Sequence, residues 1–188
     1  MQIHLQNKIY GYVNNYTFKG RQILDSRGNP TIEVLCTDTS GKILGRGSSP
    51  SGASCGSKEA TELRDGIKAL FNGKSVMKAI ENVNTISSQI SLKNLDLNDF
   101  DSQLIKFDCS DNKSTMGGNT TTALSFCVLD AISNIKGVEK YEYIRNIINN
   151  NNKLFIPTPL ANVLNGGKHG SGGLKIQEFM IFVNEEYD

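Results

Sequence analysis

Eight consecutive residues, Ser49-Pro50-Ser51-Gly52-Ala53-Ser54-Cys55-Gly56, include two glycines, an alanine and three serines. They offer little to a core, while their hydroxyls and bare peptide groups can approach a ligand closely. The segment reads as a loop that closes over something polar, a phosphate or a metal ion. The same composition also suits an ordinary surface loop. His169 stands between Gly166-Gly167 and Gly170-Ser171-Gly172-Gly173 and has no apolar face to serve. An imidazole titrating near neutrality suits a hydrogen bond or a charge offered to an oxyanion, and the neighbouring Lys168 lowers its proton affinity. Gln177-Glu178 precedes Phe179-Met180-Ile181-Phe182, which anchors the pair in a strand. Alternation turns the two side chains to opposite faces unless a bulge intervenes, so Glu178 is the less direct participant.

Other candidates read as structural. Arg27, inside Asp25-Ser26-Arg27-Gly28-Asn29-Pro30, suits a turn arginine paired with a carboxylate. The charges of Ser57–Gly66 suit a solvated face. Cys36, Cys55, Cys109 and Cys127 are scattered without a Cys-x-x-Cys pair, as free thiols of a reducing compartment are. With His4 and His169 the only histidines, no zinc ligand cluster forms.

The elements that must position these residues follow from periodicity. Ile32, Val34 and Cys36 alternate with Glu33 and Leu35, the pattern of a strand with one buried face. Short connections to its neighbours imply an antiparallel meander, and Gly45 and Gly47 imply a short or bulged third strand. Ser57–Gly66 reads as a short helix, capped by Ser57 and ended by Gly66. Val76, Ala79, Ile80, Val83, Ile86 and Ile90 recur at helical spacing, and a further helix is predicted over 98–106 with Phe100 and Leu104 on one side. Leu124, Cys127, Val128, Ala131, Ile132 and Ile135 form the clearest helical stripe, preceded by Thr120-Thr121-Thr122, a weak helix start. A fourth helix over 139–148 ends in Asn149-Asn150-Asn151-Asn152, where a domain boundary is placed. Beyond it, 154–160 and 176–183 read as two strands around a Gly-rich loop. The predicted division is 1–15 as an N-terminal extension, 16–150 as one domain and 151–188 as the beginning of another.

Composition sets limits. The 188 residues suit one domain, or one plus a piece of another. A formal charge of +1 argues against a general nucleic-acid binder. No membrane span is expected, because no run of about eighteen apolar residues occurs. The first residues lack a charged start followed by an apolar run, so secretion is not signalled.

Five segments in order carry a family resemblance: Asp25–Pro30, the small-residue loop, Glu62-Leu63-Arg64-Asp65-Gly66, Asn165-Gly166-Gly167-Lys168-His169 and Gln177-Glu178-Phe179-Met180. At this spacing, from about Phe18 to Val183, the chain resembles the enolases (phosphopyruvate hydratases). The resemblance implies an α+β fold: a three-stranded antiparallel meander followed by about four helices, with the start of a truncated TIM-like (β/α) barrel. It implies a cytoplasmic, magnesium-dependent carbon–oxygen lyase of glycolysis, homodimeric, that dehydrates 2-phosphoglycerate to phosphoenolpyruvate. By position, Ser54 matches the loop serine that coordinates the second magnesium. His169 matches the histidine beside the substrate phosphate and leaving hydroxyl. Gln177 matches a substrate contact, and Glu178 a group assisting the acid that protonates the departing hydroxide. Arg21 and Glu33 match positions that form ion pairs across the dimer.

The chain also departs from the family pattern. Cys55 stands where threonine is usual, Lys168 and Gly170 where serine or alanine are commoner, and Thr120–Thr122 where the segment is richer in alanine. The principal acid, the lysine base and the three carboxylates for the first magnesium fall beyond residue 188 in that pattern. A barrel needs roughly 250 residues, so the chain reads as a piece of a longer protein, inactive alone, with apolar strand edges left open. Two alternatives stay open: a non-catalytic enolase-like binding or scaffolding protein, and a superfamily lyase acting on another 2-hydroxy acid. The serine lid and His169 loop favour a phosphorylated substrate over the latter.

Overall fold

The computed structural model describes residues 16–52, 56–90, 96–167, 170 and 173–183. The chain divides into two compact units, one of Met1–Ser51 and Lys58–Ile144, the other of Gly52–Ser57 and Arg145–Asp188.

The first unit opens with a meander of β1 (Tyr16–Leu24), β2 (Pro30–Asp38) and β3 (Ile43–Ser48) in that spatial order, antiparallel throughout. Alternation along β2 drives Ile32, Val34 and Cys36 into the core, where none retains exposure. The opposite face of β2 is not left to water as a one-faced strand would be. Glu33 is buried beneath Arg21 of β1 and Arg46 of β3, both of which it pairs with. The register slips between Cys36 and Thr37, so Leu44 is the extra residue of the expected bulge.

Gly45 and Gly47 have a second purpose. A Cβ on Gly45 would lie 2.4 Å from the Ala131 nitrogen, and one on Gly47 would lie 2.2 Å from the Cys127 nitrogen. The helix α3 (Gly118–Lys136) therefore rests with its backbone directly against β3. Asp130 of α3 accepts the Arg46 N–H at 2.8 Å, satisfying a donor on the edge strand.

The unit also holds a short 3-10 helix at Phe71–Gly73 and the helices α1 (Met77–Ser87), α2 (Leu97–Phe107) and α4 (Lys140–Ile147), α4 running into the second unit. The apolar spacing of α1 buries Ala79, Ile80, Val83 and Ile86. Asp96 caps α2 by accepting the Asp99 N–H, and Phe100 meets Phe18 of β1 with ring centroids 5.3 Å apart. In α3 the predicted stripe is buried except for Ile135, which is 39% exposed in the last turn. Thr120 is fully buried and donates to the Ala79 carbonyl of α1 at 3.3 Å, a tie between helices that alanine would lack.

One expected helix is absent. Residues 57–66 form a turn followed by irregular chain, because their backbone groups are claimed by distant partners. Asn119 accepts the Leu63 N–H at 3.0 Å and donates to the Leu63 carbonyl at 3.1 Å. The Thr61 N–H goes to Asn112, the Asp65 N–H to Ser75 and the Gly66 N–H to Gly73. Asp65 then caps α1 from outside that helix, accepting the Met77 and Lys78 N–H groups, each at 2.9 Å, and the Ser75 hydroxyl.

The second unit holds β4 (Leu160–Asn165) and β5 (Glu178–Phe182), an antiparallel pair. The first strand starts later than its apolar pattern suggests. Pro157 and Pro159 cannot donate to a ladder, so pairing begins at Leu160.

Candidate functional site

Two places position the residues singled out for chemistry. The first is the root of the small-residue loop. Ser49 is buried, its N–H donating to the Ile32 carbonyl at 3.0 Å and its carbonyl accepting from the Thr31 hydroxyl at 2.7 Å. Two residues on, Arg27 donates to the Ser51 carbonyl at 2.7 Å, and Arg64 donates to the Ser51 hydroxyl at 3.3 Å. Arg64 also reaches the carbonyls of Pro30 and Lys74 and pairs with Glu62. A planar guanidinium with five fixed donors suits such a junction. The 62–65 charges are thus a clamp on three segments and not a solvated face.

The Asp25 turn supports the same root. Asp25 Oδ1 accepts the N–H groups of Arg27 and Asn29, each at 2.8 Å. The Asn29 N–H, helped by Arg27, holds the Asp25 carboxyl below its ordinary value against a smaller opposing effect of burial. Arg27 lies 3.7 Å from that carboxylate, which fits the structural reading of this arginine. Ser54 and Cys55 lie outside the described residues. Of the other cysteines, Cys36 and Cys127 are buried and Cys109 exposed, all unbridged. Burial pushes the Cys36 thiol up to about 12 and raises Cys127 further, which keeps both as inert core thiols.

The second place is the β4–β5 turn. The Gly166 N–H donates to the Gln177 carbonyl and the Gly167 N–H to the Leu174 carbonyl, both at 2.8 Å. A Cβ on Gly166 would sit 2.2 Å from the Ile176 oxygen, and one on Gly170 would sit 2.5 Å from the Asn165 oxygen. Glycine is obligatory on both flanks of Lys168 and His169, which themselves lie outside the described residues. Gln177 is exposed just before β5, and Glu178 is half-buried as its first residue, opposite Asn165. The ladder does contain a bulge, but at Val163 of β4, so the alternation between Gln177 and Glu178 is undisturbed.

The structure thus fixes Gln177 and Glu178 side by side in the second unit and fixes the root that leads to Ser54 in the first. Arg64 and Asn119 are positioning residues that periodicity did not reveal. The sequence signal for Arg64 was the Glu62–Gly66 segment, and Asn119 had none of its own. Among the described residues no group of three or more His, Cys, Asp or Glu is placed to hold a metal. Magnesium takes about six oxygen ligands, and Glu178 is the single described carboxylate of the second unit. The described residues alone therefore do not make a magnesium site. No helix among them is long and apolar enough to cross a membrane.

A three-stranded antiparallel sheet with four helices, followed by the opening strands of a barrel, defines an α+β protein. Comparison with models of protein families gives two matches in succession. The enolase N-terminal domain matches residues 16–144, more than half of the chain, and the enolase C-terminal TIM barrel domain matches residues 153–186. The chain belongs to the enolase family.

Proposed function

We propose that this chain is part of a phosphopyruvate hydratase, a magnesium-dependent lyase that dehydrates 2-phosphoglycerate to phosphoenolpyruvate in cytoplasmic glycolysis as a homodimer. The observation that carries the reading is the succession of an enolase N-terminal domain and the start of an enolase barrel domain in one chain, and the loop of Ser54, His169 and the Gln177-Glu178 pair lie in the segments that carry the family resemblance. Residues 16–150 act as the N-terminal domain and 151–188 as the beginning of the barrel domain.

Removal of a proton next to a carboxylate concentrates negative charge on a small frame, and bound magnesium supplies the compensating charge. Ser54 offers it a hydroxyl oxygen, a hard ligand that adds no charge of its own. His169, flanked by glycines in the sequence, donates to the phosphate and faces the leaving hydroxyl. Gln177 binds substrate through its amide. Glu178 assists the acid that protonates the departing hydroxide. The chain supplies a lid and part of a wall of that site.

The dimer proposal has a local complication. Arg21 and Glu33 pair with one another within the chain, directly opposite in the β1–β2 register. A cross-dimer ion pair at either residue requires this contact to be shared or exchanged.

The test joins residues 1–188 to the remaining strands of an enolase barrel and follows phosphoenolpyruvate formation from 2-phosphoglycerate. The expected result is turnover that needs magnesium and that falls about 100-fold or more in Glu178→Gln and His169→Ala. A folded chimera without turnover, or one indifferent to both substitutions, overturns the reading.

A further inference from the structure

Between α2 and α3 of the first unit lies a cavity of about 290 Å³, bounded in part by Asp101, Ile105, Lys113, Thr122, Ser125 and Phe126. Its volume is at the small end of the range for small-molecule sites. Ile105 and Phe126 give it apolar walls and are 59% and 49% exposed. Asp101 brings charge to this apolar surface. The Ser125 hydroxyl donates to Asp101 Oδ2 at 3.1 Å, while Oδ1 is buried with no hydrogen-bond partner. Burial pushes the Asp101 carboxyl above its ordinary value, only partly offset by Ser125.

The lysine that lines the cavity is otherwise engaged. Lys113 lines the same cavity, but its Nζ donates to the carbonyls of Asp108 and Ser110, each at 3.1 Å. It is held to its own turn and forms no ion pair with Asp101. A half-desolvated carboxylate with a spare oxygen therefore stands beside hydrocarbon walls. An unpaired buried charge is costly and is relieved by a cation. A divalent metal would need more oxygen ligands than one carboxylate provides, and an anion would be repelled.

We propose that this cavity binds a small primary ammonium ion bearing a short hydrocarbon tail, with the ammonium on Asp101 and the tail between Ile105 and Phe126. An ammonium brings three donors and no acceptor, matching the spare carboxylate oxygen and the Thr122 hydroxyl on the rim. The terminal torsion of an aspartate is broad, so Oδ1 can turn from its shielded position toward the ligand. The apolar walls select an alkylammonium over ammonium itself, because each buried CH₂ adds to binding. This site is independent of the enolase reading.

The test is a ¹⁵N NMR titration of the 188-residue chain with n-butylammonium, with n-butanol and butyrate as matched controls. The expected result is saturable shifts at residues 101–105 and 121–126, with a Kd for the amine at least tenfold below that for the alcohol and no response to butyrate. Asp101→Asn should abolish the preference for the amine, and Phe126→Ser should weaken amine and alcohol alike. Equal affinity for amine and alcohol, shifts confined to other regions, or no shift at all overturns the proposal. The wild-type comparison decides the matter even if a variant does not fold.

Discussion

The β2 strand of the first unit and the β5 strand of the second each carry four apolar residues, but in opposite surroundings. On β2, Ile32, Val34 and Cys36 are fully buried, and even Glu33 is covered. On β5, Phe179, Met180, Ile181 and Phe182 are all exposed, from 41% to 67%, so neither face is closed. The chain leading to the strand pair is barer still, with Phe155 83% and Ile156 93% exposed. The difference is written in the residue order. β2 alternates, as a strand with a helix on one face does, whereas β5 is an unbroken apolar run, as strands covered on both faces are. The residues proposed to contact substrate, Gln177 and Glu178, belong to the strand pair whose own contacts hold it least. A two-stranded pair is marginal by itself.

The sharpest way to break this contrast is to disturb each region in turn. Gly47→Ala places a Cβ 2.2 Å from one backbone atom of α3 and 2.3 Å from another, and neither can yield as a flexible side chain would. The helix must lift from the sheet, and a loss of about 3 kcal/mol is expected in urea unfolding followed by circular dichroism. A loss under about 1 kcal/mol would mean that α3 is not seated on β3 as described.

A smaller effect is expected at the long-range cap of α1. Asp65→Ala removes the acceptor for Met77, Lys78 and Ser75 and should cost about 1–2 kcal/mol at neutral pH. The pH dependence has a definite sign. Burial alone would raise the Asp65 carboxyl, but the donors from Lys78, Ser75 and Met77 outweigh it and hold the group below its ordinary value of 3.8. The unfolded chain then binds the proton more readily, so this contribution is present above 3.8 and is lost as pH falls through the lower folded value. Asp65→Asn should flatten that part of the acid unfolding curve. An unchanged curve would show that the carboxylate is not the cap. The smallest effect is expected on the open pair, where Phe182→Ala should change unfolding by no more than about 0.5 kcal/mol. A larger loss would show that β5 is buried in solution.

The regular elements of the first unit were legible because each obeys one period. The alternation of β2 and the stripes of α1, α2 and α3 require only neighbours in sequence to be recognised. Ser57–Gly66 was illegible for the opposite reason. It carries an N-cap residue and a terminal glycine, yet its hydrogen bonds go to Asn112, Asn119, Gly73 and Ser75, partners that only the tertiary fold supplies. Ile135 kept the helical spacing and is still 39% exposed in the last turn of α3, where periodicity alone does not report burial. The start of β4 was misplaced because hydrophobicity is blind to a missing N–H, which Pro157 and Pro159 lack. Of the candidate site, the tight glycine frame around Lys168 and His169 was readable from composition. The arginine clamp on Ser51 was not, because Arg27, Ser51 and Arg64 meet only once three separate segments have folded together.

Hydrogen exchange resolved to peptides of the 188-residue chain tests the central contrast most directly, since it reads local opening segment by segment. The expected result is slow exchange across residues 30–38 and 123–132, with exchange at residues 160–165 and 178–182 faster by at least two orders of magnitude. Equal protection of the two strand sets would contradict the account, because the residues proposed to meet substrate would then sit on an element that is already closed.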